Sequence, residues 1–177
     1  METATLAGGC FWCTEAIFKR LKGVKSVVPG YSGGSVNNPT YEQVCAGGTG
    51  HAEAIKIEFE PDIISYEKLL EVFFKLHDPT TLNRQDNDVG TQYRSAIFYH
   101  SENQKDTAQK IKNKIEESKI YENPIVTEIV PFTKFFKAEN HHQNYYDANR
   151  SQPYCQLVID PKISKLYEGF KGIIKED

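Results

Sequence analysis

The chain has few cysteines, one methionine, one tryptophan and no long apolar run. Its 177 residues contain four cysteines, at positions 10, 13, 45 and 155, which are too few to staple a scaffold of this size with disulfides. No stretch approaches the roughly 18 apolar residues that a membrane-spanning helix needs, and the first nine residues do not resemble a signal peptide. We therefore expect a cytoplasmic protein whose cysteines serve chemistry rather than architecture.

The chain also lacks a large excess of positive or negative charge. The formal net charge is -3, with 25% charged residues, so no strong field favours a nucleic acid or an anionic membrane as partner. The length fits one domain, and no repeat or linker marks a boundary. We predict a single, monomeric domain over residues 1–177, with a C-terminal helical extension from about residue 160, that acts on a small or proteinaceous substrate.

Apolar periodicity predicts an α/β fold in which helices pack against a central sheet. Strands are predicted at residues 3–7, 24–31, 54–59, 93–99 and 125–130, and helices at 11–21, from 65 to near 79, at 101–119, 138–149 and 162–174. Residues 82–92 are predicted as a polar loop, and the apolar run at 157–159 as strand-like.

The most informative segment is residues 8–15, with the sequence GGCFWCTE, at a predicted junction of strand and helix. A thiol in the first turn of a helix faces unpaired N–H groups and the positive end of the helix dipole, which favour a thiolate. Cys10 is therefore the candidate nucleophile. Phe11 and Trp12 follow it directly and can wall an apolar pocket beside the sulfur, although aromatic residues more often belong to an ordinary core.

Cys13 lies three residues after Cys10, so the two side chains share a helix face and can form a disulfide within the first turn. The alternative is that Cys13 packs as a small apolar residue. A zinc site is disfavoured because it needs two further ligands, and the adjacent His141 and His142 point in different directions on a helix. We predict no metal.

Several polar residues could assist a thiol. Glu53 shares a strand face with apolar residues, which predicts a raised pKa and a proton to give, unless it lies at a solvated strand edge. Tyr41 and Tyr93 can donate hydroxyl hydrogen bonds to a ligand, and Asp88 lies in the loop before Tyr93. Tyr41, Tyr93 and Asp88 each also fit a structural role.

Several ordered motifs together resemble the peptide methionine sulfoxide reductase A family. They are GGCFW at 8–12, GYSGG at 30–34, PTY at 39–41, HDPTT at 77–81, GHAE at 50–53, GTQYRS at 90–95 and AENHHQNYY at 138–146. The resemblance runs from about Leu6 to at least Tyr154. It implies an α/β roll with a ferredoxin-like central sheet, and reduction of the S epimer of methionine sulfoxide, free or in proteins.

The resemblance also implies a role for each candidate residue. Cys10 matches the nucleophile, Glu53 the acid that protonates the sulfoxide oxygen, and Asp88 a residue that helps to order the site. The substrate-binding matches are Phe11 and Trp12 for the methyl pocket and Tyr41 and Tyr93 for hydrogen-bonding hydroxyls. No cofactor is implied, and thioredoxin is the implied reductant of the disulfide that follows a Cys10 sulfenic acid.

The identity of the second thiol is open, because many relatives carry glycine where this chain has Cys13. We predict that Cys13 resolves the sulfenic acid, since its position in the next turn gives a high effective concentration. Cys155 is the alternative, and Cys45 is expected to pack structurally. A general thiol-disulfide oxidoreductase is the alternative function, although only nine residues precede Cys10, too few for the βα unit that usually comes before such a motif.

Overall fold

The structure, a computed structural model, describes residues 1–176; Asp177, the last residue of the predicted domain, lies outside them. The strands are β1 (Glu2–Ala7), β2 (Val24–Ser32), β3 (Ala52–Phe59), β4 (Arg84–Gln85), β5 (Asp88–Val89), β6 (Ala96–Tyr99), β7 (Glu128–Pro131) and β8 (Phe135–Lys137). The α-helices are α1 (Phe11–Phe18), α2 (Tyr41–Cys45), α3 (Tyr66–Leu76), α4 (Glu102–Glu117), α5 (Tyr145–Ala148) and α6 (Asp160–Gly169). Short 3₁₀ turns occupy Thr91–Tyr93, Asn140–His142 and Lys171–Ile173, and a π-helical turn occupies Cys155–Ile159.

The main sheet has the strand order β7-β6-β1-β3-β2-β8. All neighbouring strands are antiparallel except β6 and β7, which run parallel. Within it, the chain order β1-α1-β2-β3-α3-β6 and the strand order β6-β1-β3-β2 are those of a ferredoxin-like unit. The predicted α/β roll with a ferredoxin-like central sheet flanked by helices is therefore confirmed.

The two faces of the sheet differ in what covers them. Leu6 of β1 and Ile55 and Ile57 of β3 belong to the large cluster that packs beneath α1 and α3. Ala54 of β3 and Phe98 of β6 belong to a smaller cluster on the opposite face. Because side chains alternate along a strand, this arrangement directs odd-numbered positions of β3 toward α1.

The predicted helix at 138–149 is wrong in its extent. The segment is broken into a 3₁₀ turn and the four-residue α5, because Gln143 is extended and Asn144 is left-handed, with φ 57°. Tertiary hydrogen bonds hold this break: the Gln143 amide donates to the Pro29 carbonyl at 3.0 Å, and the Asn144 N–H donates to Glu15 at 2.8 Å. These contacts override the local helical pattern.

Three other segments also differ from the sequence prediction. Tyr93 lies in a 3₁₀ turn, and the strand begins later, at Ala96. The predicted loop at 82–92 contains the short hairpin of β4 and β5. The run after Cys155 is helical rather than strand-like, because Cys155 and Ile159, four residues apart, are both buried on one helix face.

None of the helices in residues 1–176 is long and apolar enough to cross a bilayer.

Candidate active site

A tight turn places Cys10 at the start of α1. Gly9 has φ +83°, and a Cβ added there would lie 2.7 Å from the side chain of Gln85. Gly8 is also crowded, since a Cβ there would lie 3.0 Å from Phe73. Only glycine accommodates both the left-handed backbone and the close approach. Cys10 is consequently the N-cap residue of α1, with no capping hydrogen bond from its side chain.

The Cys10 thiol is only 7% exposed. Burial raises the pKa of Cys10 well above its usual value, and the neighbouring Cys13 thiol and the charge of Glu53 act in the same direction. This direction is opposite to the one expected from the helix N-terminus. Desolvation of the thiolate outweighs the helix dipole here. In the free protein, Cys10 is therefore held as a thiol.

Glu53 lies in β3 on the side that faces α1, as its alternation with Ile55 and Ile57 predicts. Its side chain is 1% exposed, and its Oε1 atom accepts a hydrogen bond of 3.2 Å from the Phe11 N–H. Its Oε2 atom is buried without a hydrogen-bond partner among the described residues. Burial raises the pKa of Glu53 to about 8, so the carboxyl group is mostly protonated at neutral pH.

An aromatic wall borders this pair. The Trp12 indole stacks on Tyr145 with ring centroids 3.7 Å apart and an interplanar angle of 8°. Its Nε1–H donates to Nδ1 of His142 at 3.2 Å. Accepting this bond at Nδ1 fits the neutral ring, and burial lowers the pKa of His142 accordingly. Phe11 is fully buried, with its ring centroid 5.3 Å from that of His142.

The two predicted tyrosines approach from separate elements. Tyr41 begins α2, which is capped by Thr40, and its N–H donates to Oε2 of Glu139 at 3.0 Å. Its ring stacks on that of Phe11 with centroids 6.5 Å apart. Burial raises the pKa of Tyr41 and of Tyr93, and the nearby Glu53 charge adds to both. Both hydroxyl groups thus stay protonated and can donate.

Asp88, in β5, lies on the side of Cys13. Its Oδ2 atom accepts a hydrogen bond of 2.8 Å from the Tyr154 hydroxyl, whose oxygen lies 3.7 Å from Cys13 Sγ. Cys13 itself is 3% exposed. The pKa of Cys13 is lowered by its interaction with the Cys10 thiol, and the charge of Lys162 lowers it further. The two thiols of the C-x-x-C segment therefore differ in acidity.

The other two cysteines occupy different environments. All four cysteines are free thiols. Cys155 is fully buried in the π-helical turn, and burial raises its pKa. Cys45, which was expected to pack structurally, is instead exposed, because the five-residue α2 buries only Val44.

The structure thus gathers Cys10, Phe11, Trp12, Glu53 and Tyr41 around one point, with the remaining predicted residues beside them. Sequence reasoning missed His142, Tyr145, Tyr154, Glu139 and Lys162. The signal for the first two was the AENHHQNYY motif, in which the histidines were weighed only as zinc ligands. No group of three or more histidine, cysteine or acidic side chains within residues 1–176 is arranged to hold a metal ion.

Similarity to known proteins agrees with this geometry. Residues 2–172 match the family model described as "Peptide methionine sulfoxide reductase". A peptide methionine sulfoxide reductase MsrA of Sulfolobus acidocaldarius is 59% identical over 170 residues, which cover 96% of each chain. An MsrA of Thermus thermophilus is 52% identical over 174 residues, which cover 98% of each chain.

Solved structures show the same fold. Mxr1 from Saccharomyces cerevisiae in its reduced form matches with a TM-score of 0.82 and 36% identity over 87% of this chain and 88% of that one. Mxr1 in complex with Trx2 matches with a TM-score of 0.58 and 27% identity over 81% and 84% of the two chains. The chain belongs to the peptide methionine sulfoxide reductase family.

Proposed function

We propose that this chain reduces the S epimer of methionine sulfoxide, free or in proteins, by a thiol-dependent reaction at Cys10. One observation carries the proposal: within residues 1–176, the buried Oε2 atom of Glu53 has no hydrogen-bond partner. The carboxyl group lies beside the buried Cys10 thiol, and burial raises its pKa to about 8. A sulfoxide oxygen is a poor leaving group until it is protonated, and a neutral acid in a dry pocket supplies that proton.

The first step joins the two sulfurs. Cys10 attacks the sulfoxide sulfur while Glu53 protonates its oxygen, and Tyr41 and Tyr93 donate hydrogen bonds to the same oxygen. The hydroxyl group then moves from the substrate sulfur to the Cys10 sulfur: the substrate S–O bond and the transient S–S bond break, and a new S–O bond forms on Cys10. Methionine leaves, and Cys10 is left as a sulfenic acid. The proton of the Cys10 thiol passes to Glu53 and replaces the one that Glu53 gave to the oxygen, so the net charge of the site does not change. No standing thiolate is required, which agrees with the raised pKa of Cys10.

The aromatic wall selects the substrate. Phe11 and Trp12 line the side of the site where the substrate methyl group would lie, and Tyr145 and His142 fix the indole. An apolar lining excludes water and accepts a methyl group without leaving a polar atom unpaired. On the other side, Asp88 helps to order the site through Tyr154.

The second step closes a disulfide. We propose that Cys13 condenses with the Cys10 sulfenic acid and that thioredoxin reopens the bond by thiol-disulfide exchange. The interaction of the Cys13 thiol with the Cys10 thiol supports this assignment over Cys155, and the complex of Mxr1 with Trx2 supports thioredoxin as the reductant. Residues 1–177 would act as one monomeric catalytic domain in the cytoplasm, without a cofactor, and would repair oxidatively damaged proteins.

Reduced protein mixed with one equivalent of methionine sulfoxide tests the proposal. Methionine release is measured by chromatography, and the disulfides that form are identified by mass spectrometry. We expect about one methionine per chain and a bond between Cys10 and Cys13. Cys10→Ser should abolish release, whereas the matched control Cys45→Ser, which removes an exposed thiol, should behave like the wild type. Release of methionine by Cys10→Ser would refute the assignment.

A further inference from the structure

The C-terminal segment contacts Cys13 in a way that the reduction of the sulfoxide does not explain. Tyr154 lies with its hydroxyl oxygen 3.7 Å from Cys13 Sγ. Lys162, in α6, lines the same small cavity as Cys13. We propose that Tyr154 and Lys162 are positioning residues that prepare the Cys13 thiol for the resolving step. The inference rests on the proposed function and concerns only its second half.

The position of Lys162 is not explained by local stability. Its side chain is only 15% exposed, yet its ion pair is with Asp86, whose side chain is 60% exposed, at 3.8 Å. An ion pair so open to solvent contributes little. The buried Cys13 thiol in the same cavity is the group on which the charge of Lys162 can act.

The Tyr154 hydroxyl has one proton and two neighbours. It donates that proton to Asp88 at 2.8 Å, so toward Cys13 its oxygen acts as the acceptor of the S–H bond. When Cys13 ionises, rotation of the hydroxyl group turns the same proton toward the thiolate. Tyr154 thereby holds the thiol in place before the step and stabilises its charge during the step.

The groups around Cys13 act in opposite directions. Lys162 and the Tyr154 hydroxyl favour the thiolate, whereas Asp88 and burial oppose it. The titratable and charged groups that face Cys13 are Cys10 at the start of α1, Glu53 of β3, Asp88 of β5, Tyr154 and Cys155 before α6, Lys162 of α6 and, across the cavity, His77. Burial lowers the pKa of His77 to about 4, so this ring adds no charge at neutral pH.

The step that these residues assist is balanced without a further reagent. The Cys13 sulfur attacks the Cys10 sulfenic sulfur, the S–S bond forms and the S–O bond breaks. The hydroxide that leaves takes up the proton released by Cys13 and departs as water. Cys13 is oxidised and the Cys10 sulfur is reduced. Because the attacking species is the thiolate, its population and its nucleophilicity together set the rate.

Single-turnover kinetics of Tyr154→Phe and Lys162→Gln test the inference. Methionine release reports the first step, and loss of free thiols together with trapping of sulfenic acid by dimedone reports the second. Lys162→Gln should release methionine at the wild-type rate. In both variants, disulfide formation should slow by about three- to fourfold for each pKa unit that Cys13 gains, because the smaller thiolate population is partly offset by a more nucleophilic thiolate. Sulfenic acid should accumulate, and the pH profile of the second step should move to higher pH.

Two further variants make the test specific. Lys162→Arg keeps the charge and should restore most of the rate, and Lys165→Gln removes an exposed lysine one turn further along α6 and should match the wild type. Disulfide formation at the wild-type rate in both Tyr154→Phe and Lys162→Gln would overturn the inference, as would a disulfide formed by Cys13→Ser through Cys155. Absence of methionine release from the wild type would instead refute the proposed function.

Discussion

Glu53→Gln should separate stability from activity, because the same burial that keeps Glu53 protonated also destabilises the folded chain at neutral pH. The pKa of this group is raised from its ordinary value of 4.5 to about 8 on folding. Between pH 4.5 and about pH 8, Glu53 keeps its proton in the folded state but releases it in the unfolded chain. The stabilising contribution of Glu53 is therefore complete below pH 4.5 and is lost as the pH rises to about 8.

The size of the effect follows from the shift. Each pKa unit corresponds to about 1.4 kcal/mol, so roughly 3 kcal/mol has been lost by pH 7 and about 5 kcal/mol above pH 8. Glutamine does not ionise, and its amide oxygen can still accept the Phe11 N–H bond that Glu53 accepts. The variant should therefore gain stability relative to the wild type as the pH rises. The free energy of unfolding of the variant minus that of the wild type should be about 3 kcal/mol larger at pH 7 than at pH 4.

Urea unfolding in reducing buffer, at intervals from pH 4 to pH 8, measures this difference. The matched control is Glu58→Gln, which removes an exposed glutamate of the same strand. In single turnover, the glutamine variant at position 53 should release methionine at least about 100-fold more slowly, and wild-type release should fall above pH 8. If the stabilities of the wild type and Glu53→Gln run parallel across this range, Glu53 is not held protonated by burial and the reasoning fails.

Three further substitutions test other parts of the site. Cys13→Ser should still release about one methionine per chain in single turnover but lose cycling with thioredoxin; continued cycling would move the resolving role elsewhere. Gly9→Ala should lower the free energy of unfolding by about 1–3 kcal/mol in urea, since it puts a Cβ against Gln85 at a φ of +83°. Trp12→Phe should raise KM for the sulfoxide about tenfold in steady-state assays, through loss of the stacking on Tyr145 and the bond to His142; an unchanged KM would exclude the indole from binding.

The strands and the long helices could be predicted because their signals are periodic and local. The alternation of β3 gives both the strand and the face on which Glu53 lies. Ser65 caps α3 by accepting from the Lys68 N–H, as its position before an apolar helix predicts. Ser101 likewise caps α4 by accepting from the Gln104 N–H, and the Gln104 side chain accepts from the His100 N–H.

The elements that enclose the site could not be predicted in this way, because tertiary contacts decide them. Residues 138–149 have a helical composition, yet bonds from Gln143 and Asn144 to distant backbone and side chain break the helix. Without that break, His142 would not turn its Nδ1 atom toward Trp12. The raised pKa of Cys10 could not be predicted for a similar reason: the sequence shows where the helix starts but not how deeply the thiol is buried.

One turn of helix places Cys10 and Cys13 against different neighbours, and this difference supports the proposal that Cys13 is the second thiol. Cys10 lies beside Glu53, whose pKa burial raises to about 8, so that a proton is available for the substrate oxygen. The pKa of Cys13 is lowered first by its interaction with the Cys10 thiol, and then by the charge of Lys162 and the Tyr154 hydroxyl. In the proposed mechanism, Cys10 reacts together with a protonated acid, whereas Cys13 reacts as a thiolate. The two sulfurs therefore need different surroundings, and the C-terminal segment supplies those of Cys13 through Tyr154 and Lys162.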